Sequence, residues 1–116
     1  MREDSRLRRV ETFQVLLLNT RRRLLRVAAI SDGTLDTILV HPREVFNLAI
    51  RDSAAAIICV HNHPSGDPQP SREDRALTTR LGEAGRLLGI QVLDHIIVGR
   101  DTYMSFADEG LLDARG

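Results

Sequence analysis

The alternation of apolar and polar positions divides the 116-residue chain into short segments of differing period. TFQVLLLN (residues 12–19) reads as a buried strand, and LLRVAAIS (24–31) as its partner. NTRRRLL between them reads as a hairpin turn with exposed arginines. DGTLDTILV (32–40) opens on a turn and predicts a third strand. HPREVFNLAIRDS begins a helix, with Pro42 in its first turn, where the missing N–H costs nothing, and Glu44 in the same turn. AAAIICVHN is a continuous apolar run, the pattern of a central strand. The Pro- and Gly-rich HPSGDPQP is a loop, and a longer helix starts at Ser71. Leu77, Leu81, Ala84 and Leu88 recur at helical spacing, and Gly89 suits the helix end. IQVLDHIIVG predicts another strand and TYMSFA a last short one. Strands and helices mix without strict alternation, so the expected class is α/β, a mixed β-sheet flanked by helices. Residues 1–10 are polar and read as a linker or the remnant of a helix, leaving 11–116 as one domain.

Composition narrows the function classes. The length supports one modest core, and with few aromatics and no tryptophan that core must be mostly Leu, Ile, Val and Ala. A single cysteine excludes an internal disulfide and suits a reducing compartment. No stretch approaches the ~18 apolar residues of a membrane span, and no secretory leader pattern opens the chain. A cytoplasmic protein without a membrane partner is expected. Net charge is zero, yet residues 1–26 carry eight arginines against three acids. Such a segment can touch phosphates. A solvated face and turn account for it more simply, so tight duplex-DNA binding is not expected.

The chemistry sits in CVHNHPSGDPQPSRED, residues 59–74. Residues i and i+2 of a strand share a face, so His61 and His63 can aim two imidazoles at one point, with Asn62 turned away. Neutral imidazole is a good zinc ligand. The loop folds back, and the following helix presents Asp74 in its first turn. Two His and one carboxylate leave the fourth tetrahedral position open, the arrangement of a catalytic zinc site. Ser71-x-x-Asp74 alone would be only a helix cap; the joint spacing H-x-H-x7-S-x2-D is much more specific, and capping and ligation are compatible. Cys59 shares the parity of the histidines but lies deep in the apolar run and reads as a small core residue.

These residues carry a family resemblance. HNHPSGDPQPSRED fills every position of the JAMM signature of the JAB1/MPN metalloprotease superfamily. HPREVF, HNHPSGDPQPS and LDHIIVG resemble the RadC-like JAB domain, over nearly the whole chain from Glu11. The resemblance implies a cytidine-deaminase-like α/β sandwich (the JAB1/MPN fold) with one Zn²⁺ per chain, held by His61, His63 and Asp74. It also implies a glutamate upstream as general base. Glu11, just before the first strand, is preferred over Glu44 in HPREVF. Helix-hairpin-helix sequence precedes the domain in many members; the first residues here do not match it, as in a fragment or a short member.

The implied reaction is metal-assisted hydrolysis of a peptide or isopeptide bond in a protein or peptide substrate. Glu11 would take the proton of the attacking water, and Ser71 would hydrogen-bond the developing oxyanion or the metal-bound water. Asp94 and His95 in LDHII are candidates to hold the imidazoles from behind, or else a buried pair with no role at the metal. His41 reads as a residue at the helix start. The zinc deaminase pattern H-x-E…P-C-x-x-C is absent, which argues against base deamination. The alternatives are a DNA-repair-associated module without turnover and a metal-binding scaffold. A homodimer is left open.

Overall fold

The computed structural model describes residues 12–32 and 40–112. Five strands and two helices follow one another along the chain. They are β1 (Thr12–Leu18), β2 (Leu24–Asp32), α1 (Pro42–Arg51), β3 (Ala56–Asn62), α2 (Arg72–Leu88), β4 (Gln91–Val98) and β5 (Tyr103–Ser105). One mixed sheet has the order β2-β1-β3-β4-β5, antiparallel except for the parallel pair β3–β4. The predicted segments recover these elements to within a few residues. The apolar run at AIICVHN is the central strand, as its continuous hydrophobicity requires. The strand predicted within 32–40 and the linker predicted at 1–10 lie outside the described residues.

Local chemistry explains the boundaries. The β1–β2 hairpin closes on Asn19, whose side chain accepts the N–H groups of Arg21 at 2.8 Å and Arg23 at 3.0 Å. Arg22 takes the left-handed conformation there, and all three arginines are exposed. At α1, Pro42 supplies the first turn and the Glu44 carboxylate accepts the His41 N–H at 3.3 Å. His41 is thus the helix-start residue expected of it. Helix α2 is capped by Ser71 and ends on Gly89 in the left-handed conformation.

Phe13, Val15 and Leu17 of β1 alternate with more exposed neighbours and bury against Ile57 and Cys59 of β3. Val45, Phe46 and Ala49 of α1 and Leu81 of α2 complete the same cluster, so both helices serve one face of the sheet. The apolar stripe of α2 is shorter than its sequence predicts. Leu88 is exposed, and the buried positions are Thr78, Leu81 and Gly85. Gly85 is needed there because any Cβ would lie 2.3 Å from the Ile90 carbonyl oxygen. The chain turns back into β4 at that point, so the last helical turn faces solvent. Among the described residues no helix is long and apolar enough to cross a membrane.

Candidate metal centre

The site forms where β3 ends. His61 is the last buried residue of that strand, and Phe13 across the β1–β3 ladder stacks on its ring at 5.5 Å. His63 lies just beyond the strand but stays in line, because its N–H donates to the Val98 carbonyl at 3.1 Å. The parity argument therefore holds, and the two rings lie 5.0 Å apart. The loop then returns the chain to α2. Ser71 and Asp74 form a reciprocal cap: the Asp74 N–H donates to Ser71 Oγ at 3.0 Å, and the Ser71 N–H donates to Asp74 Oδ2 at 2.7 Å. The cap fixes the carboxylate against both histidines, with Oδ1 3.2 Å from His61 Nε2 and Oδ2 2.9 Å from His63 Nε2.

These three side chains are the group of potential ligands among the described residues, one ligand atom from each lying within 4.8 Å of the others. A tetrahedral ion with bonds of ~2.0–2.1 Å spaces its ligand atoms about 3.3 Å apart, close to the two nitrogen–oxygen separations above. The remaining ring nitrogens are engaged elsewhere. His63 Nδ1–H donates to the Asp67 carbonyl at 2.9 Å, which leaves Nε2 with its lone pair toward Asp74. His61 Nδ1 lies 2.8 Å from His95 Nε2. Two imidazoles and one carboxylate converging through these atoms are a donor set that suits zinc. Burial works to raise the Asp74 pKa, but the adjacent His61 and His63 rings and the Ser71 N–H outweigh it and hold the carboxyl well below the usual range.

Residues 94 and 95 have separate tasks. His95 is fully buried, touches His61 through Nε2, and lies between Phe106, stacked at 4.6 Å, and Phe13. Asp94 points elsewhere. Its carboxylate accepts Ser105 Oγ–H at 2.6 Å, the Ala107 N–H at 2.9 Å and the His95 N–H at 2.7 Å, tying the end of β5 to β4. Plain alternation would set Val92 and His95 on opposite faces. The β3–β4 register shifts by one residue at Leu93, between the pairs Ile57↔Val92 and Ile58↔Asp94. That bulge brings His95 to the face that carries Cys59 and His61.

The other candidates are placed as follows. Ser71 is exposed, and its hydroxyl proton remains available after Oγ accepts from Asp74. Glu44 caps α1 and is not in the ligand group. Cys59 is a core residue, its thiol pushed up to about 12 by burial and then by Asp94. Glu11 lies outside the described residues. Its neighbour Thr12 is clamped to Asn62, with Thr12 N–H at 2.7 Å and Oγ1–H at 3.0 Å from the Asn62 Oδ1. Asn62, turned away from the candidate ligands, therefore fixes the start of β1. Sequence reasoning missed Thr78, which lies one turn after Asp74 on the buried face of α2. Its hydroxyl donates to the Asp74 carbonyl at 2.9 Å and sits 2.5 Å from His95 Nδ1.

Two expected outcomes arise from this packing. Gly99 lets the loop close onto β4: a Cβ there would lie 2.4 Å from the Gly66 carbonyl oxygen and 2.9 Å from Pro68 Cδ. Gly99→Ala is expected to lose about 1–3 kcal/mol of stability in denaturant unfolding and to weaken zinc binding by displacing the loop after His63. The second outcome concerns acid. Burial, reinforced by the electrostatic influence of the adjacent His61 ring, lowers the His95 pKa from 6.5 to about 3. Between those values the unfolded chain takes a proton that the folded one refuses, so stability is complete above pH ~6.5 and declines below it. One proton corresponds to ~1.4 kcal/mol per pH unit, so metal-free protein should lose about 2 kcal/mol from pH 6.5 to 5. Urea midpoints taken in chelator at the two pH values check this.

Comparison with known proteins agrees with the geometry. Residues 1–111 match the model of the RadC-like JAB domain. A UPF0758 protein of Geotalea uraniireducens is 60% identical over 104 residues, covering 90% of this chain and 46% of its own length. The UPF0758 protein STH371 of Symbiobacterium thermophilum is 58% identical over 103 residues, covering 89% of this chain and 44% of its own. The chain thus spans less than half the length of these relatives. A match across almost every residue, with the His-His-Asp group formed between the end of the central strand and α2, means that the chain belongs to the RadC-like JAB domain family.

Proposed function

We propose that this domain is a zinc-dependent hydrolase of the JAMM type that cleaves a peptide or isopeptide bond. The observation that carries the reading is the convergence of His61 Nε2, His63 Nε2 and the Asp74 carboxylate, with each Nδ1 engaged on another partner. His61, His63 and Asp74 would hold one zinc ion, which supplies Lewis-acid polarisation of water and of the scissile carbonyl. Glu11 accepts the proton released as water adds to that carbonyl, and passes it to the amine as the C–N bond breaks. The Ser71 hydroxyl donates to the oxygen on which negative charge develops; losing one such donor typically costs ~10²–10³ in rate.

The partner suited to amide hydrolysis is a peptide, and a cleft of about 760 Å³, which none of His61, His63 and Asp74 lines, borders the loop before α2. Pro68 and Gln69 of the loop line it, with Arg75 next to Asp74 and Tyr103 and Met104 of β5. A net charge of zero gives duplex DNA little general attraction. The test is incubation of the zinc-loaded protein with linear and isopeptide-linked peptide libraries, read by mass spectrometry. Cleavage that stops on chelation and returns with zinc is expected. Absence of metal-dependent products from both libraries would sink the reading.

A further inference from the structure

Thr78 and His95 touch neither solvent to any extent nor the proposed reaction, yet they complete a closed ring of polar contacts around the first ligand. The circuit runs from the Asp74 carbonyl through Thr78 Oγ1, His95 Nδ1, His95 Nε2, His61 Nδ1 and His61 Nε2 to the Asp74 carboxylate. It begins and ends on one residue. Thr78 is 5% exposed, His95 0% and His61 3%, so the links among these three side chains are shielded from water.

The Thr78 hydroxyl sets the direction of the donors. A carbonyl oxygen only accepts, so the 2.9 Å contact with Asp74 is a bond only when Thr78 gives its single hydroxyl proton there and not to His95 Nδ1. The oxygen then presents lone pairs to His95 Nδ1, which must carry hydrogen. A neutral His95 with Nδ1–H has a bare Nε2. That nitrogen accepts from His61 Nδ1–H and leaves His61 Nε2 bare on the side of Asp74 and His63. Run the other way, the circuit would exchange the Thr78–Asp74 carbonyl bond for one from His61 Nε2–H to Asp74 Oδ1, and Nε2 would then have no in-plane lone pair to offer a cation.

We infer that Thr78 and His95 are positioning residues that lock His61 in the tautomer able to ligate a metal through Nε2. The inference rests on the metal-site reading proposed above. It gives the bulge at Leu93 a purpose, since without the register shift His95 would face away from His61. It also gives Asp74 two contributions: its carboxylate is a ligand, and its main-chain oxygen sets the polarity of the circuit behind another ligand.

The experiment is a zinc affinity measurement by competition with a chromophoric chelator, on wild type, Thr78→Val, Thr78→Ser and His95→Phe. Circular dichroism of each metal-free variant establishes that it is folded. Zinc binding should weaken about 10–100-fold in Thr78→Val and His95→Phe, the usual range for partners behind a ligand. Thr78→Ser, which keeps the hydroxyl, should stay within about threefold of wild type. Should His95→Phe fail to fold, Thr78→Val carries the test, because it replaces one hydroxyl by a methyl group of similar size. Long-range ¹H–¹⁵N spectra of the zinc-loaded wild type should show neutral His95 protonated on Nδ1. Unchanged affinity in Thr78→Val, or a proton on His95 Nε2, overturns the lock and leaves the metal site standing. Absence of zinc binding by the wild type itself overturns both.

Discussion

Purified without chelator, the protein is expected to carry about one zinc per chain, and His63→Ala to carry none near neutral pH. Three ligands hold an ion tightly only together, and the fourth position adds no protein atom to compensate for a lost one. His63 is the informative position. Its side chain is 12% exposed, whereas His61 is 3% exposed and stacks on Phe13. Removing the His61 ring would open a cavity beside the core, and loss of metal would then be confounded with loss of fold. His63→Ala leaves Asp74 still anchored by Ser71 and the helix still capped. Metal analysis read beside the far-ultraviolet circular dichroism separates the two effects. Full zinc occupancy in a folded His63→Ala variant would remove the ligand assignment. Acid should release the ion from wild type as well, since a protonated imidazole has no lone pair to offer.

The candidate ligand set is legible in the sequence because each of its three positions depends on local geometry. Alternation along AIICVHN aligns His61 with the helix-facing side, and Ser71-x-x-Asp74 is both a cap and a way to hold a carboxylate still. What lay behind the ligands was harder to read. His95 reaches His61 only through a one-residue register shift in a parallel strand pair, and a shift of that kind leaves no periodic trace in LDHII. Asp94, adjacent in sequence, consequently looked like an equal candidate, although it serves Ser105 and Ala107 instead. Thr78 was hidden by the apolar pattern, since Leu77, Leu81 and Ala84 suffice to mark the buried face of α2. Its signal was the i+4 spacing from Asp74, which places a polar side chain one turn behind a ligand on a face that should be apolar. Leu88 misled for the opposite reason: periodicity continues to the last turn, but the sheet beneath it does not.

Replacing Glu11 by Gln should leave zinc content unchanged and lower hydrolysis by ~10²–10⁴, the usual worth of a positioned acid–base group. Glu44→Gln should alter neither by more than a small factor. The two glutamates differ in what already occupies them. The Glu44 carboxylate accepts the His41 N–H and stabilises the first turn of α1, so its charge is committed to a helix end. Losing that charge costs a few tenths of a kcal/mol to ~1 kcal/mol of stability and touches no ligand. Glu11 precedes Thr12, whose main-chain N–H and hydroxyl are both bound to Asn62, the residue between the two histidines. The chain at the start of β1 is therefore fixed to the same three-residue stretch that supplies two ligands. Gln keeps the size and hydrogen-bonding shape of Glu but cannot accept a proton at neutral pH. A selective loss of turnover at constant metal content is then the signature of a base, and not of a ligand or a structural group. Zinc analysis and cleavage assays on both variants decide the matter. Inactivity in Glu44→Gln with full activity in Glu11→Gln would exchange the two roles.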